Sequence, residues 1–563
     1  MVTRPHGSGR SITTILALST IIFTSASARD PHHHHGDIKN IIVLVPDGCN
    51  QAVQTLARWY KGSDLTLDKM TSGMSRTWSA NSVITGSAAA STAFGTGFKT
   101  EEPFIGVGPS GSGLLSTYAP PLPMEYLRYR PLATVLEGAK RIGKATGLIA
   151  TATISHATPG GQTAHVSDRN NEQEIAEQQV YQNIDVAFAG GKKRLLVRTD
   201  GENLRDTLIS RGYQFVENRD QMLALTTGKV WGLFCDSMMQ PDIDRSEYGP
   251  TEPTLAEMTK KAIELLSQNQ EGFFLFVEGS MVDFGDHSDD PVYTATEFLA
   301  FDEAVKTAVE FAEADGHTAV IAFPDHNCGG MTIGSYYSDS RVAYDKLPVE
   351  NLINPLKAMK LTAVGVTNKI VDKTDPVQIK SAVQAWWNIA LADSEVTQIL
   401  NWPYNKTFFY KLAAVVSKNR TCIGWTTHGH DGSDVPIWTY NCDIRGNIEN
   451  IQLADKMFDL FNIDKTELNE YLFVDVNDAF PGAWSLDASD ANNPVLVITQ
   501  GDMTFRLPAS KDELHYIRPA NGHHGEKPVT KFLSGLVVNA PKSGRVYIPQ
   551  DAVDEIAEVM RKL

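Results

Sequence analysis

Cysteines, basic residues and long apolar runs are all scarce in this sequence. Five cysteines in 563 residues, none of them in a C-x-x-C pair, exclude a disulfide-built scaffold. Cys422 and Cys442 could form one bridge in an oxidising compartment or remain free. Lysine and arginine number 50 against 67 acidic residues, and the resulting net charge of −17 argues against a general nucleic-acid or anionic-membrane binder. With 42% hydrophobic and 21% charged residues, the chain is globular and can build a large core.

The N-terminus has the pattern of an export signal. Arg4 and Arg10 precede a largely apolar stretch at 12–23, and the small residues at 25–28 suit signal peptidase cleavage after Ala28. We therefore expect a signal peptide at 1–28, a histidine-containing linker at 29–36 and an exported protein, periplasmic or extracellular. No later run approaches the ~20 apolar residues that a membrane span needs, although an uncleaved N-terminal anchor is the alternative.

Four short runs are apolar at nearly every position, which is typical of parallel strands that are buried on both faces. These runs are 41–45, 147–152, 273–277 and 318–323. Segments with a hydrophobic period near 3.6 lie between or after them, at 132–142, 255–267 and 294–314. The alternation predicts an α/β fold with a central, mostly parallel sheet sandwiched by helices.

Two segments of the predicted catalytic domain, 37–454, have the character of insertions. Residues 101–130 are rich in glycine, proline and serine and are typical of a long loop, whereas 340–420 contains an amphipathic stretch but no buried-strand pattern. From 455 to 563, shorter strand-like pieces precede a closing helix at 552–563. We interpret this last part as a C-terminal α/β extension.

Acidic residues and histidines follow the predicted strands closely. They are Asp47, His156, Glu278, Asp283, Asp325 and His326. Because ligands bind beyond the carboxyl ends of the strands in open α/β sheets, these side chains could converge from distant parts of the chain. Asp283 and His287 lie four residues apart, so on a helix they share one face and could hold a zinc ion. Each signal alone is also explained by a solvated turn, but their number favours a metal site.

Ser87 lies at the start of an alanine-rich segment, Gly86-Ser87-Ala88-Ala89-Ala90. Near a helix N-terminus, its hydroxyl would lie in a positive field that favours both an alkoxide and a phosphoryl group. Taken alone, Ser87 is better explained as a helix N-cap. Its interpretation as a nucleophile therefore depends on the neighbouring metal ligands.

Together these motifs resemble the alkaline phosphatase family, in the family's own order. Ser87 partly matches an Asp-Ser-Ala-Ala pattern, Glu278 to His287 match Glu-Gly-x-x-x-Asp-x-x-x-His, and Asp325-His326 match an Asp-His pair. The remaining matches are Asp47-Gly48, His156-Ala157-Thr158-Pro159, the segment 164–169 that ends in Arg169, and the histidine His430. The resemblance extends from about residue 37 to about residue 440.

The resemblance implies a phosphate monoester hydrolase with two zinc ions and a third, magnesium-like site. The implied ligand sets are Asp283, His287 and His430 for one zinc; Asp47, Asp325 and His326 for the other; and Asp47, Thr158 and Glu278, with His156 nearby, for the third metal. Ser87 would attack phosphorus in line to give a phosphoserine that water then hydrolyses, while Arg169 binds two phosphate oxygens. Small phosphorylated substrates and a possible homodimer are further implications.

Three positions differ from, or vary within, the family pattern. Gly86 stands where many members have an aspartate that helps to hold the arginine, which predicts a more mobile Arg169 and weaker phosphate binding. Phe284 stands where well-known members have lysine or histidine. His156 predicts that zinc or cobalt competes with magnesium at the third site, because magnesium prefers oxygen ligands.

Three other interpretations fit the sequence less well. A phosphodiesterase of the same superfamily usually has threonine as nucleophile and lacks the third-site glutamate, whereas Ser87 and Glu278 are present here. The Cys/Ser-x-Pro-x-Arg signature of sulfatases is absent around Ser87. A surface-binding protein with a vestigial core would have lost ligands, and the set is complete. Five further histidines, to which we assign structural or surface roles, are His165, His428, His515, His523 and His524.

Overall fold

A ten-stranded sheet forms the centre of the computed structural model, which describes residues 38–115, 119–339, 341–518 and 527–563. Its strands, in chain order, are β1 (Asn40–Pro46), β2 (Thr71–Arg76), β3 (Ala145–Thr153), β4 (Val186–Gly190), β5 (Gln214–Val216), β6 (Val230–Leu233), β7 (Phe273–Gly279), β8 (Thr318–Ala322), β9 (Val435–Tyr440) and β10 (Asn447–Glu449). They lie side by side in the order β10-β2-β9-β8-β1-β7-β3-β4-β6-β5. Only β9 pairs antiparallel with its neighbours in this sheet. The four predicted buried strands correspond to β1, β3, β7 and β8, and the α/β prediction is confirmed.

Alternate side chains of β1 enter two different hydrophobic cores. Ile42 and Leu44 lie in one core, with the helices Leu255–Leu266 and Pro291–Asp315. Ile41 and Val43 lie in the other, with the helix Ser87–Thr96 among others. Both faces of the sheet are therefore covered, which explains why this strand is apolar at every position rather than at alternate ones.

Helices fill the connections between the strands, and none of those that the structure describes is long and apolar enough to cross a bilayer. The α-helices are Gln51–Lys61, Ser87–Thr96, Met124–Leu127, Val135–Arg141, Ala157–Gly160, Glu172–Tyr181, Lys193–Leu196, Leu204–Ser210, Arg219–Leu223, Arg245–Tyr248, Leu255–Leu266, Met281–His287, Pro291–Asp315, Tyr336–Asp339, Val349–Lys357, Ala363–Asn368, Pro376–Trp387, Asp393–Leu400, Phe408–Arg420, Ile451–Leu460, Lys465–Leu472, Val476–Ala479 and Gln550–Arg561. The three predicted helices correspond to Val135–Arg141, Leu255–Leu266 and Pro291–Asp315. The first two begin with capping boxes, in which the side chains of Thr134 and Thr254 accept hydrogen bonds from backbone N–H groups.

Smaller sheets complete the fold. A five-stranded antiparallel sheet comprises Trp484–Asp487, Val495–Gln500, Met503–Pro508, Glu513–Arg518 and Lys527–Phe532. Three further strands, Val474–Asp475, Val538–Ala540 and Arg545–Ile548, form another sheet. Two ladders of two strands pair Asn327–Cys328 with His430–Asp431 and Thr332–Ile333 with Ile423–Gly424. The five-stranded sheet and the closing helix share a core of their own, whereas Ile451–Leu460 and the strand Val538–Ala540 pack into the core of the main sheet.

All five cysteines are free, so the disulfide considered between Cys422 and Cys442 does not form. Both thiols are buried, but Cys422 belongs to the first core and Cys442 to the second. The two cores cover opposite faces of the sheet. The bridge is therefore excluded by topology.

A buried ion pair fixes the segment that leads to Arg169. The two ring nitrogens of His165 lie 2.9 Å from the Gly106 carbonyl oxygen and 3.0 Å from Glu137 Oε1. Both partners are acceptors, so the ring must carry two protons to satisfy them. Burial opposes the charged form, but Glu137 outweighs it and raises the pKa of His165 above its ordinary 6.5.

Replacing His165 by Gln should therefore destabilise the protein in a pH-dependent way. Because folding raises the pKa of His165, its charged interaction with Glu137 stabilises the protein fully below pH 6.5. This stabilisation is lost as the pH rises through the pKa of His165 in the folded protein. We expect a loss of about 2–4 kcal/mol at pH 6, because an unpaired buried carboxylate remains, and a smaller loss at pH 9. Urea unfolding at both pH values measures the difference. His515→Gln, which disrupts a half-exposed pair with Glu513, is the control, and an equal penalty at both pH values for His165→Gln would contradict the charged pair.

Candidate active site

The carboxyl ends of four adjacent strands deliver the candidate residues to one place. The four strands lie side by side in the order β8-β1-β7-β3. Asp325 and His326 follow the end of β8, and Asp47 follows the end of β1. Glu278 lies within the end of β7, and the helix Met281–His287 follows directly. Parallel strands end at the same edge of a sheet, so residues about 280 positions apart in the chain become neighbours.

Ser87 is the first residue of its helix and not its N-cap. The N-cap is Gly86, with extended backbone angles and no side chain to accept a hydrogen bond. The capping explanation of Ser87 is therefore wrong. Its buried Oγ lies 3.1 Å from Nε2 of His326, so the hydroxyl faces the candidate metal ligands.

Three groups of side chains bring their ligand atoms within 4.8 Å of one another. The groups are Asp283, His287, Cys328 and His430; Asp47, Asp325 and His326; and Asp47, His156 and Glu278. Their composition matches the three predicted ligand sets, with Asp47 shared by two of them. Cys328 is an addition, and Thr158, which the third set includes, is fully buried on the short helix that follows His156.

The buried oxygens of these groups fit cations. Both oxygens of Asp47 and of Glu278 lack a hydrogen-bond partner among the described residues, as do Asp283 Oδ1, Asp325 Oδ2 and Thr158 Oγ1. A buried acceptor without a partner costs free energy, and several carboxylates at one place also repel one another. Oxygen and imidazole ligands together suit zinc, and the oxygen-rich third group also suits magnesium.

The protonation equilibria show the same repulsion. Burial, and then the charges of Asp325, Asp283 and Glu278, raise the pKa of Asp47 well above its ordinary value. Burial likewise raises the pKa of Glu278 to about 8. Burial together with the charge of His326 lowers the pKa of His430 to about 4, which keeps its imidazole neutral and able to act as a ligand.

Backbone carbonyls orient two of the histidines. Nδ1 of His430 donates to the carbonyl of Thr85 at 2.9 Å, and Nδ1 of His287 donates to the carbonyl of His428 at 2.5 Å. In both rings the other nitrogen, Nε2, faces Asp283, at 3.6 Å from His430 and at 3.2 Å from His287. His428, expected in a loop or surface role, thus contributes its carbonyl to the site.

Arg169 lies at the edge of this cluster, beside the third group. Its Nη2 donates to Nε2 of His156 at 3.2 Å. Burial, with the charge of Arg169 adding to it, lowers the pKa of His156 to about 4. The neutral ring therefore links the guanidinium to the group that contains Asp47 and Glu278.

A family model described as alkaline phosphatase matches residues 38–463, three quarters of the chain. The chain belongs to the alkaline phosphatase family. It is 32% identical to alkaline phosphatase 3 of Bacillus subtilis over 478 residues, covering 79% of this chain and 95% of that protein. It is 30% identical to the repressible alkaline phosphatase of Saccharomyces cerevisiae, covering 81% of this chain and 87% of that protein. The protein is therefore a phosphomonoesterase that uses metal ions.

Solved structures agree with this assignment. The cold-active alkaline phosphatase of the psychrophile Shewanella sp. superposes with a TM-score of 0.63 at 28% identity, covering 75% of this chain and 99% of that chain. The alkaline phosphatase of Thermus thermophilus superposes with a TM-score of 0.66 at 24% identity, covering 77% and 94%, and shows the shared fold.

The structure shows what surrounds Phe284 and Gly86, two of the positions that differ from the family pattern. Phe284 lies near His156, with 6.2 Å between the ring centroids. Gly86 has no side chain and so supplies no carboxylate at this position. The carboxylate of Glu102 fills the space beside Gly86 instead. Glu102 carries no motif of its own, and only the folded chain shows where it lies.

Cys328 is the other residue of the site that the sequence did not indicate. It pairs with His430 in a two-stranded antiparallel ladder, so the two side chains lie on the same face. The only signal in the sequence is its position two residues after His326. A zinc ion with four protein ligands would have no open position for catalysis, so we do not include Cys328 among the ligands.

Proposed function

We propose that this protein hydrolyses phosphate monoesters through a phosphoserine on Ser87, with two zinc ions and a third, magnesium-like ion. One observation carries the proposal: Ser87 Oγ lies 3.1 Å from Nε2 of His326, which belongs to one of the three groups of candidate ligands. The proposed ligands are Asp283, His287 and His430; Asp47, Asp325 and His326; and Asp47, Thr158, Glu278 and His156.

Ser87 acts as the nucleophile in this proposal. Its Oγ forms a bond to phosphorus while the bond from phosphorus to the alcohol oxygen breaks, and the alcohol leaves after gaining a proton. Water then attacks the phosphoserine and releases inorganic phosphate and the free serine. The position of Ser87 at the first turn of its helix adds a positive field, which favours both the alkoxide and the phosphoryl group.

The metal ions would supply charge stabilisation for the attacking and leaving oxygens, which is the main requirement of phosphoryl transfer. The chain itself orients the groups around them. Arg169 has a planar guanidinium that can donate to two phosphate oxygens, and it lies at the edge of the cluster, with Nη2 3.2 Å from His156 Nε2. The carbonyls of Thr85 and His428 accept hydrogen bonds from Nδ1 of His430 and of His287, so each of these rings directs Nε2 to the site.

Metal analysis together with two substrates tests this function. The purified protein should contain zinc, and p-nitrophenyl phosphate should be hydrolysed much faster than bis-p-nitrophenyl phosphate. A phosphodiesterase would reverse the preference between the two esters, and a binding protein with a vestigial core would hydrolyse neither.

Replacing His156 by Asp should change which metal the third site prefers. An added carboxylate oxygen favours magnesium, whereas the imidazole favours zinc or cobalt. We expect magnesium to activate the variant more than the native protein and cobalt to activate it less. Activity is measured after dialysis and titration with each ion, and identical metal profiles for the two proteins would contradict the assignment of His156 to this site.

Export, subunit association and the division of the chain are further parts of the proposal. The signal segment 1–28 and the linker 29–36 lie outside the described residues, as do His523 and His524. We propose that the protein is exported to the periplasm or the extracellular space, acts on small phosphorylated substrates and can form a homodimer. We also propose a catalytic domain at 37–454, with insertions at 101–130 and 340–420, and an extension at 455–563.

A further inference from the structure

Glu102 occupies the space that a side chain at position 86 would need. A Cβ added to Gly86 would lie 2.5 Å from Oε1 of Glu102 and 2.7 Å from its Cδ. Real Cβ atoms do not approach other atoms this closely, so the carboxylate would have to move away. Position 86 and the Glu102 carboxylate therefore exclude one another.

The same carboxylate binds the start of the nucleophile helix. The backbone N–H of Ala89 donates to Oε1 of Glu102 at 2.9 Å. Gly86 cannot cap the helix with a side chain, so Glu102 supplies the acceptor from outside the helix. A negative charge is also favourable near a helix N-terminus.

The other oxygen of Glu102 faces the arginine. Oε2 of Glu102 lies 4.0 Å from Nη1 of Arg169, and both side chains are partly exposed. The backbone N–H of Arg169 donates to the carbonyl of Pro103 at 2.9 Å. Residues 102 and 103 thus contact both the backbone and the guanidinium of Arg169. An exposed ion pair adds little to stability, so its effect lies in the orientation of the side chain.

We propose that Glu102 is a positioning residue that directs Arg169 towards the phosphate bound over Ser87. This inference rests on the proposed function. One carboxylate, that of Glu102, fills the space beside Gly86, accepts a hydrogen bond from the backbone N–H of Ala89 and faces the guanidinium of Arg169. The carboxylate that fixes the arginine comes from a loop residue 15 positions after the nucleophile and not from the residue before it.

A helix cap alone and a positioning residue predict different results for Glu102→Gln and Glu102→Ala. Gln keeps an oxygen that can accept from Ala89 but loses the charge that faces Arg169. For a positioning residue, both variants raise the KM for p-nitrophenyl phosphate and the Ki of inorganic phosphate, by roughly three- to tenfold, with a smaller change in kcat. If Glu102 only caps the helix, Glu102→Ala alone lowers the melting temperature, and the Ki of inorganic phosphate stays at the native value in both variants.

Replacing Gly86 gives the reciprocal test. Gly86→Asp alone should displace Glu102 and disturb the site, whereas Gly86→Asp combined with Glu102→Ala should fit and place a carboxylate near Arg169 again. We expect the double variant to recover a phosphate Ki within about twofold of the native value, a strong departure from additivity. Glu125→Ala, at an exposed glutamate of the same segment, is the control.

Phosphate binding to the zinc-loaded protein, measured by calorimetry, reports on Arg169 without turnover. An unchanged phosphate affinity in Glu102→Gln would overturn the proposal. So would tighter binding, because a carboxylate that acted only through its charge would repel phosphate. A native protein that neither hydrolyses monoesters nor binds phosphate would instead overturn the function on which the inference rests, so the two failures are distinguishable.

Discussion

Ser87→Ala should lower monoesterase activity roughly 10⁴-fold or more, because it removes the oxygen that we propose bonds to phosphorus. Residual activity would come from direct attack by water, since the metal ligands and Arg169 remain. Within the described part of the chain, the Ser87 hydroxyl forms a side-chain hydrogen bond with His326 alone, so we expect the melting temperature and the metal content to stay close to those of the native protein. Steady-state rates with p-nitrophenyl phosphate measure the effect.

Trapping of the intermediate distinguishes a nucleophile from a residue that only supports the site. The native protein, quenched in acid during turnover of a ³²P-labelled monoester, should retain label on the chain, and Ser87→Ala should retain none. Ser91→Ala is a matched control, because it removes the same atom one turn along the helix, from a hydroxyl that hydrogen-bonds to the backbone carbonyls of Ala88 and Ala157. Equal labelling of native protein and Ser87→Ala would exclude a phosphoserine at this position.

Asp47→Asn should have opposite effects on stability with and without metal. Asp47 belongs to two ligand groups, so its loss should reduce the bound metal by one or two ions per chain and lower activity by roughly 10³-fold. In chelated protein, however, its buried carboxylate repels Asp325, Asp283 and Glu278. We expect chelated Asp47→Asn to be more stable than chelated native protein by about 1–3 kcal/mol, and the zinc-loaded variant to be less stable than its native counterpart.

Thermal unfolding with and without chelator, together with metal analysis, measures this reversal. Asp286→Asn is the matched control, because Asp286 is equally buried on the neighbouring helix but belongs to none of the three ligand groups. It should leave the metal content unchanged. A chelated Asp47→Asn that unfolds at a lower temperature than chelated native protein would show that repulsion among the carboxylates does not govern this part of the fold.

Local sequence patterns were sufficient for four of the ten strands of the central sheet and for much of the predicted site. The runs that became β1, β3, β7 and β8 are apolar at nearly every position because both faces of the sheet are covered, and this constraint is visible residue by residue. The polar residues that follow them lie at one edge because parallel strands share a direction. The capping explanation of Ser87 failed for a local reason: Gly86 takes the extended N-cap conformation, so Ser87 becomes the first helical residue.

Glu102, Cys328 and the free cysteines depended on long-range packing. Glu102 meets Gly86 and Arg169 only after the chain has folded back, and Cys328 reaches the first ligand group through its pairing with His430. The pair Cys422 and Cys442 is separated by the sheet itself. Apart from the position of Cys328 two residues after His326, none of these contacts leaves a periodic or short-range trace in the sequence.

The sequence by itself determined the α/β class, the family and the order of the candidate ligands, because these depend on residue types at short, regular spacings. The tertiary structure alone decided which carboxylate lies beside Arg169. Gly86 suggested a mobile Arg169, but the fold brings a carboxylate to the same space from residue 102, with Oε2 4.0 Å from the guanidinium. When one position of a chain lacks a side chain, any residue that packing brings near can occupy that space. Short-range sequence patterns do not show which residue does so.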